Sequence, residues 1–157
     1  VPGNDLASFT ARTVTNTLGT TNPDTITGTS GVDIINGGPG NDSLTGGLSA
    51  DIFRFDSTLS GSTNVDLITD FTIAEGDRIQ LENTGTTLFS SISTTGTLPP
   101  ASLRIGTSFS NTTERIRYDS GSGNLFYDPD GSGPSASILF ATLSPGLGLT
   151  NTQFAIT

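Results

Sequence analysis

A chain of 157 residues with no histidine and no cysteine, and with 15 acidic residues against six basic ones, all arginine, excludes several kinds of chemistry. Ser-His-Asp and Cys-His nucleophiles, zinc cages and disulfide staples need residues it lacks, and a formal charge of −9 repels nucleic acid and anionic lipid. The length suggests one domain, and 40 Leu, Ile, Val and Phe residues supply a thin core.

Twelve of the 15 acids are Asp, a skew that puts short carboxylates on turns rather than on helix surfaces. No run of 18 apolar residues predicts a membrane span. The start, Val1 to Asp5, lacks the basic and apolar stretches of a signal peptide. Residues 1–18 carry few apolar positions, Leu6, Phe9, Val14 and Leu18 among them. They read either as a cap or strand over the open end of a solenoid that begins at Gly19, or as a disordered leader.

Residues 19–54 hold a nine-residue unit repeated four times without insertion, beginning at Gly19, Gly28, Gly37 and Gly46. Asp is sixth in each unit (Asp24, Asp33, Asp42, Asp51) and a large apolar residue eighth (Ile26, Ile35, Leu44, Phe53). The pattern G-G-x-G-x-D-x-U-x marks a calcium-binding parallel β-helix. Its first six residues form a tight turn, in which glycine permits left-handed angles and close approach to an ion. The last three form a short strand with the eighth residue inward. Two units make one coil, so Asp24 stacks with Asp42 and Asp33 with Asp51. Paired carboxylates plus turn carbonyls, at Asn22, Gly31, Gly38, Gly40, Gly47 and Ser49 among others, offer a cage of about six oxygens, which suits Ca²⁺. At least two ions are expected, bringing the formal charge from −9 to −5. Thr20, Asn22, Thr29 and Ser49 stand where glycine is expected, which makes the first unit the weakest candidate. The other reading of the repeats is a β-solenoid whose aspartates only form Asx-turns.

These units resemble the RTX proteins, secreted calcium-binding proteins of bacteria. Val65 to Phe71, Glu75 to Leu81, Ile116 to Asp119, Asn124 to Gly131 and Ile138 to Leu143 resemble the segments that come after the repeats in that family. The resemblance implies type I export of an unfolded chain and folding outside the cell.

Past the polar loop 57–64, Asp66, Ile68 and Asp70 are expected on one strand face. Two readings stand: a third calcium site with Asp56, or two solvated carboxylates. Glu75-Gly76-Asp77 reads as a tight turn into a strand at Arg78 to Leu81. Residues 83–114 predict short strands and loops, and Asp119 to Asn124 a hairpin turn. Asp128-x-Asp130-x-Ser132 imitates an EF-hand opening, but Leu139 stands where the closing acid belongs, so a turn is preferred. The end, Leu149 to Thr157, resembles the apolar tail of type I secretion substrates and also reads as a last strand.

The expected fold is all-β with little or no helix: a short parallel β-roll over 19–54 that continues into a β-sandwich-like region over 55–157. The expected function is a secreted or cell-surface, non-catalytic calcium-binding protein. Paired-carboxylate hydrolysis survives a count of acids, but the aspartates already have repeat positions. Two other readings remain: a subunit of a calcium-dependent extracellular layer or filament, hence a homo-oligomer, and a secretion or folding module of a larger enzyme or toxin.

Overall fold

The computed structural model describes residues 14–84 and 88–157. Leu6 and Phe9, and with them most of the expected cap, lie outside the described residues. Thirteen strands, numbered along the chain, form two sheets among the described residues, with two short 3₁₀ turns and no α-helix. Among the described residues no helix is long and apolar enough to cross a membrane.

Alternation within each three-residue strand sets the architecture, because the central apolar side chain must be buried while its neighbours face out. The first sheet runs β1 (Val14–Leu18), β3 (Val32–Asn36), β5 (Ile52–Phe55), β7 (Arg78–Leu81), β13 (Phe154–Ile156), β8 (Gly96–Thr97). The second runs β2 (Thr25–Thr27), β4 (Ser43–Thr45), β6 (Asp66–Ile68), β12 (Ile138–Thr142), β11 (Asn124–Tyr127), β10 (Ile116–Asp119), β9 (Leu103–Ile105). Successive units alternate between the sheets, so two units make one coil, as the spacing predicts.

Parallel register stacks the eighth residues directly. Ile35 lies beside Phe53, Phe53 beside Ile79 and Ile79 beside Phe154 in the first sheet; Ile26, Leu44 and Ile68 do the same in the second. Apart from Ile26 at the open end, which is 8% exposed, these side chains are no more than 1% exposed. Leu18 at the edge is 71% exposed, so apolar character alone does not decide direction; the place in the unit does. Strand β1 keeps the unit's spacing but puts Thr15 opposite Asp33 and Thr17 opposite Ile35, which makes it an edge strand without the carboxylate or the core residue.

The all-β roll and sandwich are thus as expected, with one refinement. The C-terminal strands extend the roll's own two sheets: β12 pairs with β6 and β13 with β7, both in parallel. One apolar core consequently runs from Ile26 to Ile156. Edge-to-face contacts join Phe55 to Phe140, Phe140 to Phe89 and Phe89 to Tyr127 across it, at centroid distances of 5.1–5.2 Å. The hairpin at Asp119 to Asn124 forms as expected. The tail ends in β13, entered through a 3₁₀ turn that Thr150 and Gln153 close reciprocally.

Candidate metal centre

Stacking the strands also stacks the sixth residues. On one side of the roll the backbone N–H of Asp24 donates to Oδ1 of Asp42 (2.8 Å), and that of Asp42 to Oδ1 of Asp66 (3.1 Å). On the other, Asp33 N–H donates to Asp51 Oδ1 (2.9 Å) and Asp51 N–H to Asp77 Oδ1 (2.9 Å). Both expected pairs are therefore brought together, and each file gains a third member.

The repeat spacing does not reveal Asp77 as a member; its signal is Asp77-Arg78-Ile79, the same Asp-x-apolar triplet that recurs at Asp66-Leu67-Ile68 and in all four units. Asp66 and Asp70 do not share a site. Strand β6 ends at Ile68, so the strand face expected to carry both is cut short. Asp66 caps the first file, while Asp70 accepts from the N–H groups of Gly46 and Gly47 (both 2.8 Å) on the other side. Asp56 is engaged elsewhere, 3.2 Å from Arg54.

The turns fall into two kinds. In the first two, Thr20 and Thr29 each give their own N–H and hydroxyl to the turn's aspartate, occupying Oδ2 of Asp24 and Asp33. Their hydroxyls accept in turn from the N–H of Asn22 and Gly31. In the third and fourth turns the second position is Gly38 or Gly47, at φ +84° and +100°, and no hydroxyl reaches the carboxylate. Ser49, at φ +84°, is the one non-glycine of positive φ among the described residues, and its hydroxyl holds Ser30 O (3.1 Å). It thus adopts the backbone of the glycine it replaces.

Consequently Asp42 Oδ2 and Asp51 Oδ2, and also Asp33 Oδ1, are buried without a hydrogen-bond partner. A buried acceptor left unsatisfied is costly, and these three belong to side chains no more than 2% exposed. Burial, then the neighbouring charges, push the carboxyls up: Asp51 from 3.8 to about 6, Asp66 to about 7, with Asp42 and Asp77 moved the same way. Carbonyls crowd the same turns. A Cβ on Gly38 would lie 2.6 Å from Thr20 O, one on Gly40 2.9 Å from Asn22 O, and one on Gly47 2.1 Å from Thr29 O. Among the described residues no three acidic side chains form a metal cluster, so carbonyls would complete any coordination shell. Buried, unpartnered carboxylate oxygens beside turn carbonyls fit a hard cation such as Ca²⁺.

Gly47→Ala adds a backbone clash to an unfavourable left-handed angle and is expected to destabilise by on the order of 2–3 kcal/mol. Gly96→Ala, also left-handed (φ +91°) but with nothing within 4 Å, is expected to cost only about 1 kcal/mol. Paired thermal melts check the difference.

Asp128 and Asp130 form a turn, as preferred from the sequence. Asp128 Oδ1 accepts from the N–H of Asp130 and Gly131 (both 3.0 Å), and Asp130 Oδ2 from that of Ser135 (3.1 Å).

The family model for the RTX calcium-binding nonapeptide repeat matches residues 18–53 in four copies, less than half of the chain. A solution structure of the AlgE6R3 subunit from the Azotobacter vinelandii mannuronan C5-epimerase is similar, at 21% identity over 99% of this chain and 85% of that one, with a TM-score of 0.48. No curated protein matches.

Proposed function

We propose that this RTX-repeat chain, whose four repeats form a calcium-binding β-roll, is a secreted, non-catalytic protein that calcium locks into its folded state outside the cell. The observation that carries this reading is the pair of aspartate files with buried, unpartnered oxygens in the third and fourth turns. Without a cation the files set like charges against one another in a poorly solvated place. A cation neutralises them and joins coils that a thin core holds weakly.

At least two ions are proposed, held by Asp42 with Asp24 and by Asp51 with Asp33, together with carbonyls of the turns that contain Asn22, Gly31, Gly38, Gly40, Gly47 and Ser49. Extracellular calcium modules bind at ~10⁻⁴ to 10⁻³ M. At tenfold to hundredfold excess, mass action adds roughly 1.4–2.7 kcal/mol per site, enough in sum to decide folding for a marginal domain. Within this reading residues 19–54 are the calcium unit, and 55–157 the β-region that covers its far end.

Circular dichroism with calcium and then with chelator tests the proposal. Chelation is expected to reduce β content or lower the melting temperature by several degrees; identical spectra and melts would defeat it.

A second reading, a subunit of an extracellular assembly, is favoured by one feature. Among the described residues, strand β1 (Val14-Thr-Asn-Thr-Leu18) is an edge five residues long with no charge and no proline, either of which commonly protects a natural edge. Size measurement with and without calcium separates the two readings, since the first requires a monomer in both.

A further inference from the structure

Away from the roll, the loop beyond residue 87 folds against the 3₁₀ turn that precedes β9 and the segment leading into β10, forming an open cleft of about 200 Å³. That is below the ~300 Å³ at which pockets for drug-sized ligands begin. Buried Ile92 lies at it, and Ser93, Thr94, Ser102, Thr113 and Arg115 supply its polar lining.

The polar groups are available to a ligand to different degrees. The Thr113 hydroxyl is held by Asn111 (2.7 Å), whereas those of exposed Ser93 and Thr94 and of half-buried Ser102 have no protein hydrogen-bond partner among the described residues and face solvent or a ligand. Arg115 is anchored through one nitrogen only: Nη1 donates to Thr112 O (2.7 Å) and Glu114 O (2.8 Å). Its Nε is buried without a partner, and Nη2 makes no hydrogen bond among the described residues.

Like Arg78, Arg104 and Arg117, Arg115 makes no ion pair among the described residues, which separates it from Arg54. Arg54 pairs with Asp56 and Glu82, and Arg117 lies over the rings of Phe126 and Phe109. Arg115 has no carboxylate within ion-pair distance among the described residues, because the adjacent Glu114 carboxylate is taken by Ser110 and Asn111. Asp130 feels the Arg115 charge.

We infer that this cleft is a binding site for a small hydroxylated monocarboxylate. A guanidinium held through Nη1, with Nε buried, leaves Nη2 for one charge-assisted hydrogen bond to a carboxylate, and the hydroxyls of Ser93, Thr94 and Ser102 match hydroxyls on a ring-sized body. The charge of the ligand follows from the field. A single cation, partly offset by Asp130 in a chain of charge −9, accommodates one negative charge and disfavours a dianion such as phosphate.

The test is an amide-resolved NMR titration of the calcium-loaded protein with sodium glucuronate, alongside glucose and inorganic phosphate. Saturable shifts at Ile92 to Thr94, Ser102 and Thr113 to Arg115 with glucuronate alone are expected. Arg115→Gln should weaken them about tenfold, the loss of a charge-assisted hydrogen bond. Ser102→Ala, which leaves the Arg115 anchors in place, should weaken them severalfold and serves if the arginine variant does not fold. Equal response to glucose or phosphate, shifts confined to the calcium turns, no saturable shifts, or undiminished binding by the folded variants would overturn the inference.

Discussion

Asp51→Asn is expected to stabilise the protein in chelator and destabilise it in calcium. Asp51 is fully buried, and its Oδ1 accepts from Asp33 N–H. An asparagine oxygen can keep that bond while removing a charge set among Asp33, Asp70 and Asp77. A carboxyl whose pKa is held at about 6 instead of 3.8 opposes ionisation at neutral pH by on the order of 3 kcal/mol. Relief of that repulsion should raise the ion-free melting temperature by roughly 5–10 °C, or restore β content if the chelated wild type is unfolded. In calcium the same change removes a charged ligand oxygen, so one ion should be lost and the melting temperature should fall. Melts in both conditions, with ion stoichiometry by calorimetry, check the reversal; a shift of the same sign in both would show that Asp51 serves the fold alone.

Stability should also depend on pH in opposite senses with and without the ion. A carboxyl whose folded pKa lies above its unfolded value holds its proton longer in the folded state. Its contribution is therefore complete below the unfolded value and lost as pH rises through the folded one. For Asp51 and Asp66 the folded values are about 6 and about 7, against an ordinary 3.8. Ion-free protein should accordingly be more stable at pH 5 than at pH 8. Asp42, Asp77 and Asp128 are displaced in the same direction. Glu82 and Glu114, held low by hydrogen bonds from neighbouring Thr, Ser and Asn groups, are ionised throughout that range and do not alter the sign. With calcium present, protons compete with the ion for the same oxygens, so stability should fall from pH 8 to pH 5. Urea midpoints at both pH values, each with calcium and with chelator, measure all four states. Ion-free stability that instead rises with pH would mean the stacked carboxylates are relaxed in solution.

Whatever repeats locally is legible in the sequence. The nine-residue spacing identifies the turns, the inward residues and the two aspartate pairs, because each follows from a rigid period. Asp77 escapes that spacing because insertions lengthen the interval: neighbours in a file stand 18 residues apart inside the repeats, but 24 between Asp42 and Asp66 and 26 between Asp51 and Asp77. The Asp-x-apolar triplet survives those insertions and marks both later members. Placing Asp66 and Asp70 on one face assumes that alternation continues to Phe71, whereas strand β6 ends at Ile68 and a bend carries Asp70 to the opposite side. Strands β8 and β9 are two and three residues long within a Ser/Thr-rich stretch, too short to display a period. Their partners, β13 and β10, are distant choices made by the whole core.

The position of β13 bears on the order of assembly. Coils of the roll can zip up as each is laid on the one before it, and cations can steady every step. The sheet that carries β8, however, is latched by Phe154 to Ile156, which must find Ile79 to Leu81 across half the chain. Neither strand of that latch carries an acidic residue. Folding started by adding calcium should therefore show a rapid, ion-dependent zipping of the coils followed by a slower closure whose rate no longer responds to calcium.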